Sequence, residues 1–597
     1  MLQKKIDKLP EWDLSDLYDA PESASFNADL EELKKSVHDF EAEYKKAILI
    51  KDAPIGENVK RLKKSIVSYE KILNSMGKLS GYATLHHVTA TNDPGRTKFY
   101  GDTQVKITEI SNKIIFYELE LNSLSEKVLE KLLNDKELAS YKAWFENIRK
   151  YKPHQLSDEV EQIFHDKSMT SFSAWNRLFD QTISNMKVDI DGESKSLEEA
   201  LNYLLSPQEK DRKKAFLCVT ERLKENIPLF THIMNTICQD RSISDKWRKY
   251  KYPEQSRHLS NNIEPEVVDA LVNAVELNYK NTSHRYYKIK SEILGKKYLE
   301  SWDRNAPLPD TKTKEIKWND ARDIVIDAYE EFSVDLAKIV KRFFDGRWID
   351  AKIKDGKVTG AFAHPMTTDT HPYILMNYQG KPRDVMTLAH ELGHGIHQVL
   401  ASDLGPLLSD TPLTLAETAS VFGEMLTYRK LIQNTKNEFE RKVLLASKIE
   451  DMINTVIRQI SFFKFEQLVH QSRKEGELTS EDINDIWLET QKNSLGPSIK
   501  LDKMHKYLWS YIPHFIHSPF YVYAYAFGDC LVNSLYSVYE KDRSGFVTKY
   551  TDLLASGGSK HHKELLQPFN LDATDPSFWN NGISLITGMI DDLEKIN

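Results

Sequence analysis

Cysteine, proline and glycine are scarce in this chain of 597 residues, and so are long apolar runs. Cys218, Cys238 and Cys530 are an odd, scattered set. They offer neither a disulfide framework nor a cysteine metal knuckle, and they suit a reducing cytosol. No uninterrupted apolar stretch reaches the roughly 18 residues of a membrane span. The opening MLQKKIDKLPEWDLSDLY has no apolar core of the length a signal peptide needs. A cytoplasmic location with no membrane partner is therefore expected. Excess basic charge is missing too: 81 Lys and Arg against 89 Asp and Glu leave a net charge of −8, which argues against a nucleic-acid partner. Only 23 glycines and 21 prolines interrupt long stretches rich in Lys, Glu, Leu and Ala, so a mainly α fold is expected.

Those stretches carry helical periodicity. Apolar residues recur at three and four over 26–47 and 58–79, and successive amphipathic helices continue to about residue 150. Between 150 and 190 the pattern changes. Lys152-Pro153 and Ser157-Asp158 are turn or cap signals, and Val188-Asp189-Ile190-Asp191-Gly192 reads as a short strand entering a turn. Helical periodicity resumes at about 196 and runs to about 345, broken near Tyr252-Pro253 and Ala306-Pro307-Leu308-Pro309. The exception is 347–380. Trp348-Ile349-Asp350, the run Lys357 to Ala363 and the run Pro372 to Tyr378 are flanked by the turn signals Asp355-Gly356 and Gln379-Gly380, which predicts a small antiparallel sheet. Such a sheet either braces the helix that follows or offers an edge strand to an extended peptide.

The following helix carries the chemistry. Asp384 is read as its N-cap, and Val385, Leu388, Leu392, Ile396 and Val399 as its apolar stripe over 385–400. Within it stands His390-Glu391-Leu392-Gly393-His394. Residues four apart share a helical face, so His390 and His394 can converge on one metal ion. Glu391 lies roughly 100° around the helix and can reach a metal-bound water without being a ligand. His397 is two turns from His390, about 10.5 Å along the axis and too far to join the same ion, so it is expected beside the site or facing substrate.

A catalytic zinc site needs a third protein ligand. The next helix, expected over 413–432 and opened by Thr411 and Pro412, offers Glu417 and, one heptad on, Glu424. Spacing leaves Glu417 open between third ligand and partner of Thr414 in a capping box. Glu424 would orient a ligand histidine. Further along, the run Tyr511 to Gly528 gathers His514, His517, Tyr521, Tyr523 and Tyr525. Tyr521 and Tyr525 are placed on one helical face with Tyr523 opposite. Such groups either donate to a developing oxyanion or fill an aromatic core.

Several motifs coincide with those of one family: Trp12 to Tyr18, Gly360-Ala361-Phe362, Pro372 to Tyr378, Leu388 to His394, Ala416 to Ser420, Pro513-His514-Phe515, and Phe520 to Ala526. The chain resembles oligoendopeptidase F-type enzymes of the thimet oligopeptidase family of zinc peptidases. The resemblance implies a two-lobed helical ellipsoid with a deep substrate channel, its small antiparallel sheet lying next to a thermolysin-like zinc helix pair. It implies an N-terminal helical region over 1–195 and a catalytic region over 196–597. It makes Glu417 the third ligand of one zinc ion, with His390 and His394, and assigns His514 and Tyr525 to transition-state stabilisation. Tyr521 joins them on helical-face grounds. Distant relatives have a glycine-rich loop where this chain reads Ile516-His517-Ser518-Pro519, a departure at the loop's contacts. The activity implied is hydrolysis of internal bonds in short unfolded oligopeptides, by a metal-activated water with Glu391 as general base. Two alternatives stand beside it: a dipeptide-releasing C-terminal peptidase of the same family, and a non-catalytic helical peptide-binding protein with a structural metal.

Overall fold

With few breakers to interrupt them, the helices are long and frequent. The computed structural model describes residues 9–309 and 315–596; the first eight residues of the opening peptide, where no signal core is expected, lie outside the described residues. The helices expected over 26–47 and 58–79 are Ala24–Tyr44 and Ile55–Val88. The strand at Val188 is β1 (Lys187–Ile190), which turns through Asp191 and Gly192 into antiparallel β2 (Glu193–Ser196) before helix resumes at Leu197. A two-residue parallel pair joins β3 (Leu299–Glu300) to β7 (Ile499–Lys500). Among the described residues, no helix is long and apolar enough to cross a membrane.

The chain folds into two compact units, each assembled from three stretches of sequence. The first comprises the described residues of 1–152, 313–434 and 542–569; the second comprises those of 153–312, 435–541 and 570–597. This spatial division differs from the linear one at 195/196. Residues 153–195 fold with the second unit, where Phe179 of helix Phe172–Asn185 packs edge-on to Phe230 of helix Ile227–Arg248, with ring centroids 5.8 Å apart.

The first unit holds the expected sheet: β4 (Ile349–Asp350), β5 (Phe362–His364) and β6 (Tyr373–Leu375), in the spatial order β4-β6-β5. It is mixed, not antiparallel throughout. β5 is antiparallel to β6 as expected, but Ile349 pairs with Ile374 in parallel register. The cause is connectivity: the chain reverses once into β5 and once more into β6, and so returns in the direction of β4. The aromatic lead at the N-terminus completes this edge. Pro10 and Arg347 accept the backbone N–H groups of Ala351 and Asp13 at 3.0 Å each, and Trp12 meets Tyr373 edge-on at 5.9 Å.

A buried ammonium group fixes the loop that presents β5. Lys357 Nζ bonds to Asp350 Oδ1 at 2.6 Å, with side-chain exposures of 0% and 1%. It also donates to the carbonyls of Asp350, Lys352 and Met376, at 3.1, 2.9 and 2.7 Å. One side chain thus ties the ends of β4 and β6 to the strand-forming loop. Desolvation lowers the Lys357 pKa, with Asp350 opposing the shift. Removing the cation leaves Asp350 paired only with the part-exposed Lys354, at 3.1 Å, and takes the donor from three carbonyls, a change that costs about 3 kcal/mol. Lys357→Met is therefore expected to destabilise the first unit by that order and to speed hydrogen exchange across 349–376. Unchanged exchange there would show that the ammonium does not hold the loop.

Candidate metal centre

Pro382 sits in the first turn of the motif helix, Pro382–Ala401, where its missing N–H leaves no intrahelical bond unmade. The helix thus starts earlier than expected, and Asp384 lies inside it instead of capping it. Its carboxylate accepts the backbone N–H groups of Lys381 at 3.0 Å and Gln379 at 2.8 Å, tying the helix start to the turn after β6. Val385, Leu388, Leu392 and Ile396 are buried as the stripe predicts. Val399 instead lines a cavity of about 450 Å³ in the first unit.

The next helix, Leu413–Asn434, lies against the motif helix with no side chain between them at Gly393. A Cβ there would fall against the Ala419 carbonyl oxygen and 2.6 Å from Ser420 Cα. Gly423 repeats the device: a Cβ would strike the Tyr329 hydroxyl, which donates to the Ala389 carbonyl at 3.1 Å. The small residues around Glu417 thus serve helix contact.

This approach brings three donors together. Nε2 of His390 and Nε2 of His394 lie 3.4 and 3.5 Å from one oxygen, Oε2 of Glu417. Donors of a tetrahedral zinc site, with bonds of about 2.0–2.1 Å, stand about 3.3–3.5 Å apart, so two imidazoles and a carboxylate at these separations fit that ion. No further His, Cys, Asp or Glu joins the set among the described residues. Glu424 Oε2 lies 3.3 Å from His390 Nδ1, which leaves Nε2 to face Glu417. Ser420 Oγ donates to Glu417 Oε2 at 2.6 Å, and the His394 ring bonds to the Ala416 carbonyl. The Glu417 carboxylate is thus turned to the histidines and Ser420, while Thr411, expected to cap this helix, pairs with His397.

Burial lowers the proton affinity of both ligand-type imidazoles. At His390, Glu424, Glu417 and Glu391 outweigh burial and raise the pKa; at His394 burial prevails. Burial raises Glu417, but His394 and His390 hold it below the usual carboxylate value.

Glu391 is 6% exposed, and its carboxylate accepts the backbone N–H of Ala363 in β5. In the field of the protein alone, burial pushes its carboxyl up to about 7, with His390 opposing and Glu417 assisting. The strand geometry explains the bond. Ile374 donates to Trp348 on the β4 side at 2.9 Å, so in the pair Ala363–Ile374 the β5 groups point off the free edge. Ala363 therefore turns its N–H to Glu391 and its C=O outward. His397 stands apart from the donor set: it is buried, Nε2 lies 3.3 Å from Thr411 Oγ1, and it lines the same cavity as Val399.

His514, Tyr521 and Tyr525 gather in the second unit. His514 Nε2 is 3.3 Å from the Tyr525 hydroxyl, and Tyr521 meets Tyr525 edge-on at 5.0 Å and stacks with His514 at 6.2 Å. Tyr521 is not on a helical face, because the helix begins at Tyr523. The chain turns sharply before it: Phe520 has φ +62° and donates its N–H to buried Glu466 at 2.7 Å. Burial pushes the Glu466 carboxyl up to about 8. Tyr523 is a core residue, its hydroxyl held by His258 and Asn261 at 3.0 and 2.8 Å. His517 Nε2 lies 2.8 Å from Asp180. Burial, with Arg458 and His517 adding, lowers the His514 pKa, so its ring is neutral near pH 7.

Ser420 and Ala363, which bond to Glu417 and Glu391, and Glu466, which fixes the turn before Tyr521, are contacts that the sequence reading passed over. Ser420 had a usable signal, three residues after Glu417 on the same helix.

Residues 202–585 match the profile of Peptidase family M3, and residues 120–187 match that of Oligopeptidase F. The chain belongs to peptidase family M3. Among M3-type relatives, an oligoendopeptidase F homolog of Borreliella burgdorferi is 27% identical, over 100% of this chain and 99% of the relative. The oligopeptidase PepF of Bacillus subtilis is 26% identical over 100% and 89%. The solved oligoendopeptidase-F of Enterococcus faecium superposes with a TM-score of 0.71 at 19% identity, covering 96% of this chain and 98% of that one, a likeness of fold. In this M3 peptidase the donor spacing depends on the absent side chain at Gly393. Gly393→Ala is expected to cost about 1–3 kcal/mol of stability by overpacking. It should also weaken any metal binding at the donor triad about tenfold or more. Wild-type metal affinity and unfolding midpoint in that variant would show that the close approach is dispensable.

Proposed function

We propose that the chain is a zinc endopeptidase that hydrolyses internal bonds of short, unfolded oligopeptides. The observation that carries this reading is the convergence of His390, His394 and Glu417 beside the buried carboxylate of Glu391. His390 and His394 would hold the ion through Nε2 and Glu417 through Oε2. When bound, zinc supplies Lewis acidity, polarising a carbonyl group and lowering the pKa of water toward 7. Glu391 takes a proton from the attacking water and returns it to the departing amine. Its mostly buried setting and the Ala363 N–H hold it in place for both transfers. Glu424 keeps the His390 ring oriented, a carboxylate–histidine pairing usual at metal ligands. His514, as a neutral ring, and Tyr525 donate hydrogen bonds to the carbonyl oxygen as it gains charge, with Tyr521 packed against both. Three unpaired cysteines, two of them buried, support a cytosolic setting for this activity.

The outward Ala363 carbonyl at the β5 edge supports the preference for unfolded peptides. Pairing with a strand edge needs backbone N–H and C=O groups that are not already engaged, and a folded protein has few to offer. Short peptides are therefore expected to be cleaved and a folded protein of the same sequence content left intact, as read by mass spectrometry. Efficient cleavage of the folded protein would refute the edge-strand argument.

The proton transfers rest on Glu391 alone. Glu391→Gln is expected to keep zinc at wild-type stoichiometry while lowering kcat by several orders of magnitude, about 10³-fold or more. Near-normal turnover in that variant, or hydrolysis that persists after chelation, would remove the mechanism.

A further inference from the structure

We infer that a small cavity in the second unit, walled by Arg304, Arg458 and His505, is a binding site for a small monoanion, either a peptide's terminal carboxylate or a halide. The cavity measures about 50 Å³, and Asn305, Gln491 and Tyr511 complete its polar lining. One water needs roughly 10–15 Å³ on this measure, so the space takes a carboxylate head or a halide and little more. No carboxylate is among its lining residues. Arg304 Nε reaches only an amide, Asn305 Oδ1, at 3.2 Å. Arg458 lies over the Phe462 ring at 4.7 Å with Tyr511 as its side-chain partner, and its Nε has no hydrogen-bond partner. Burial, with Arg304 adding, lowers the Arg458 pKa to about 10.

His505 is the independent sign of a built site. It is 4% exposed, yet both of its ring nitrogens lack a partner. Its ring lies near-parallel to those of Trp487 and Phe216, with centroids at 6.5 and 6.4 Å, and Trp487 Nε1 donates to its carbonyl at 3.1 Å. Burial, then Arg304 and Arg458, push its imidazole down to about 3, so it is neutral and brings one N–H donor. Two half-buried guanidinium groups, the buried and unpartnered Nε of Arg458 and the unmet donor of His505 around a carboxylate-free cavity make a setting that an anion would satisfy. Arg458 also follows directly on a π-helical turn, Ile453–Ile457, a rare distortion that recurs at functional sites. The cavity adjoins the aromatic cluster: Tyr511 and Ile512 lead into His514, on which the charge of Arg458 acts.

The carboxylate source rests on the peptidase reading above; the halide source does not. The test uses the zinc-loaded full chain. Trp302 and Trp487 line the cavity, so their fluorescence is followed while sodium gluconate, too bulky to enter, is replaced by sodium chloride or sodium formate at constant ionic strength. A saturable response is expected in the wild type, lost in Arg458→Gln and weakened in Arg304→Gln. In parallel, KM is compared for two peptides that differ only in a free or amidated C-terminus. If a carboxylate uses the site, amidation raises KM by about 10- to 100-fold, as loss of charge-assisted hydrogen bonds requires, and the arginine variants abolish the difference. If a halide uses it, the response saturates with chloride while the two peptides keep equal KM. A non-saturating response with equal KM values overturns the site, and so do responses that survive unchanged in both variants. Should Arg458→Gln fail to fold, Arg304→Gln and the wild-type titration still decide. Should neither peptide be hydrolysed, the peptidase reading fails while the fluorescence still reports on the anion.

Discussion

Everything at the candidate metal centre depends on two helices touching backbone to backbone. Gly393 lies against Ala419 and Ser420 with nothing but main chain between them. Any side chain at that crossing would separate the helices by more than the donor distances can absorb, because 3.4 and 3.5 Å already lie in the range a tetrahedral ion allows. The same contact reaches one heptad further, where Glu424 comes within 3.3 Å of the His390 ring. One close approach therefore sets the donor triad and the carboxylate that aligns it.

The sheet contributes through its main chain. β5 is pinned on one side by β6 and at its approach by the buried Lys357 ammonium, so Ala363 is held where its N–H meets Glu391. A backbone donor cannot be removed by a point substitution other than proline, and it does not rotate away. The general-base candidate is thereby positioned by a strand edge whose adjacent carbonyl still faces outward.

Much of this was legible in the sequence, because helical periodicity reports which face is buried. The stripe Val385 to Ile396 and the helices Pro382–Ala401 and Leu413–Asn434 follow from it. Spacing could not settle Glu417, since a capping box and a metal ligand ask for the same residue at the same place, and the choice depends on a neighbouring helix. The parallel pairing of β4 was hidden because strand signals carry no direction. Tyr521 was misplaced because the turn at Phe520 is imposed by Glu466, 54 residues away. The pocket between Arg304 and Arg458 left no trace either. Lysines and arginines are common along this chain, and only the fold shows which of them line a carboxylate-free cavity.

The interleaving of the two units bears on how the protein is made. Helix Phe546–Ala555 belongs to the first unit, and its Tyr550 hydroxyl donates to the carbonyl of Thr418, the residue after Glu417. The same ring packs on Phe422 at 4.5 Å. Synthesis proceeds from the N-terminus, so His390, His394 and Glu417 all leave the ribosome well before the residue that backs them. The helices of the candidate metal centre in a nascent chain are without this support, and the finished site is among the last parts of the molecule to form.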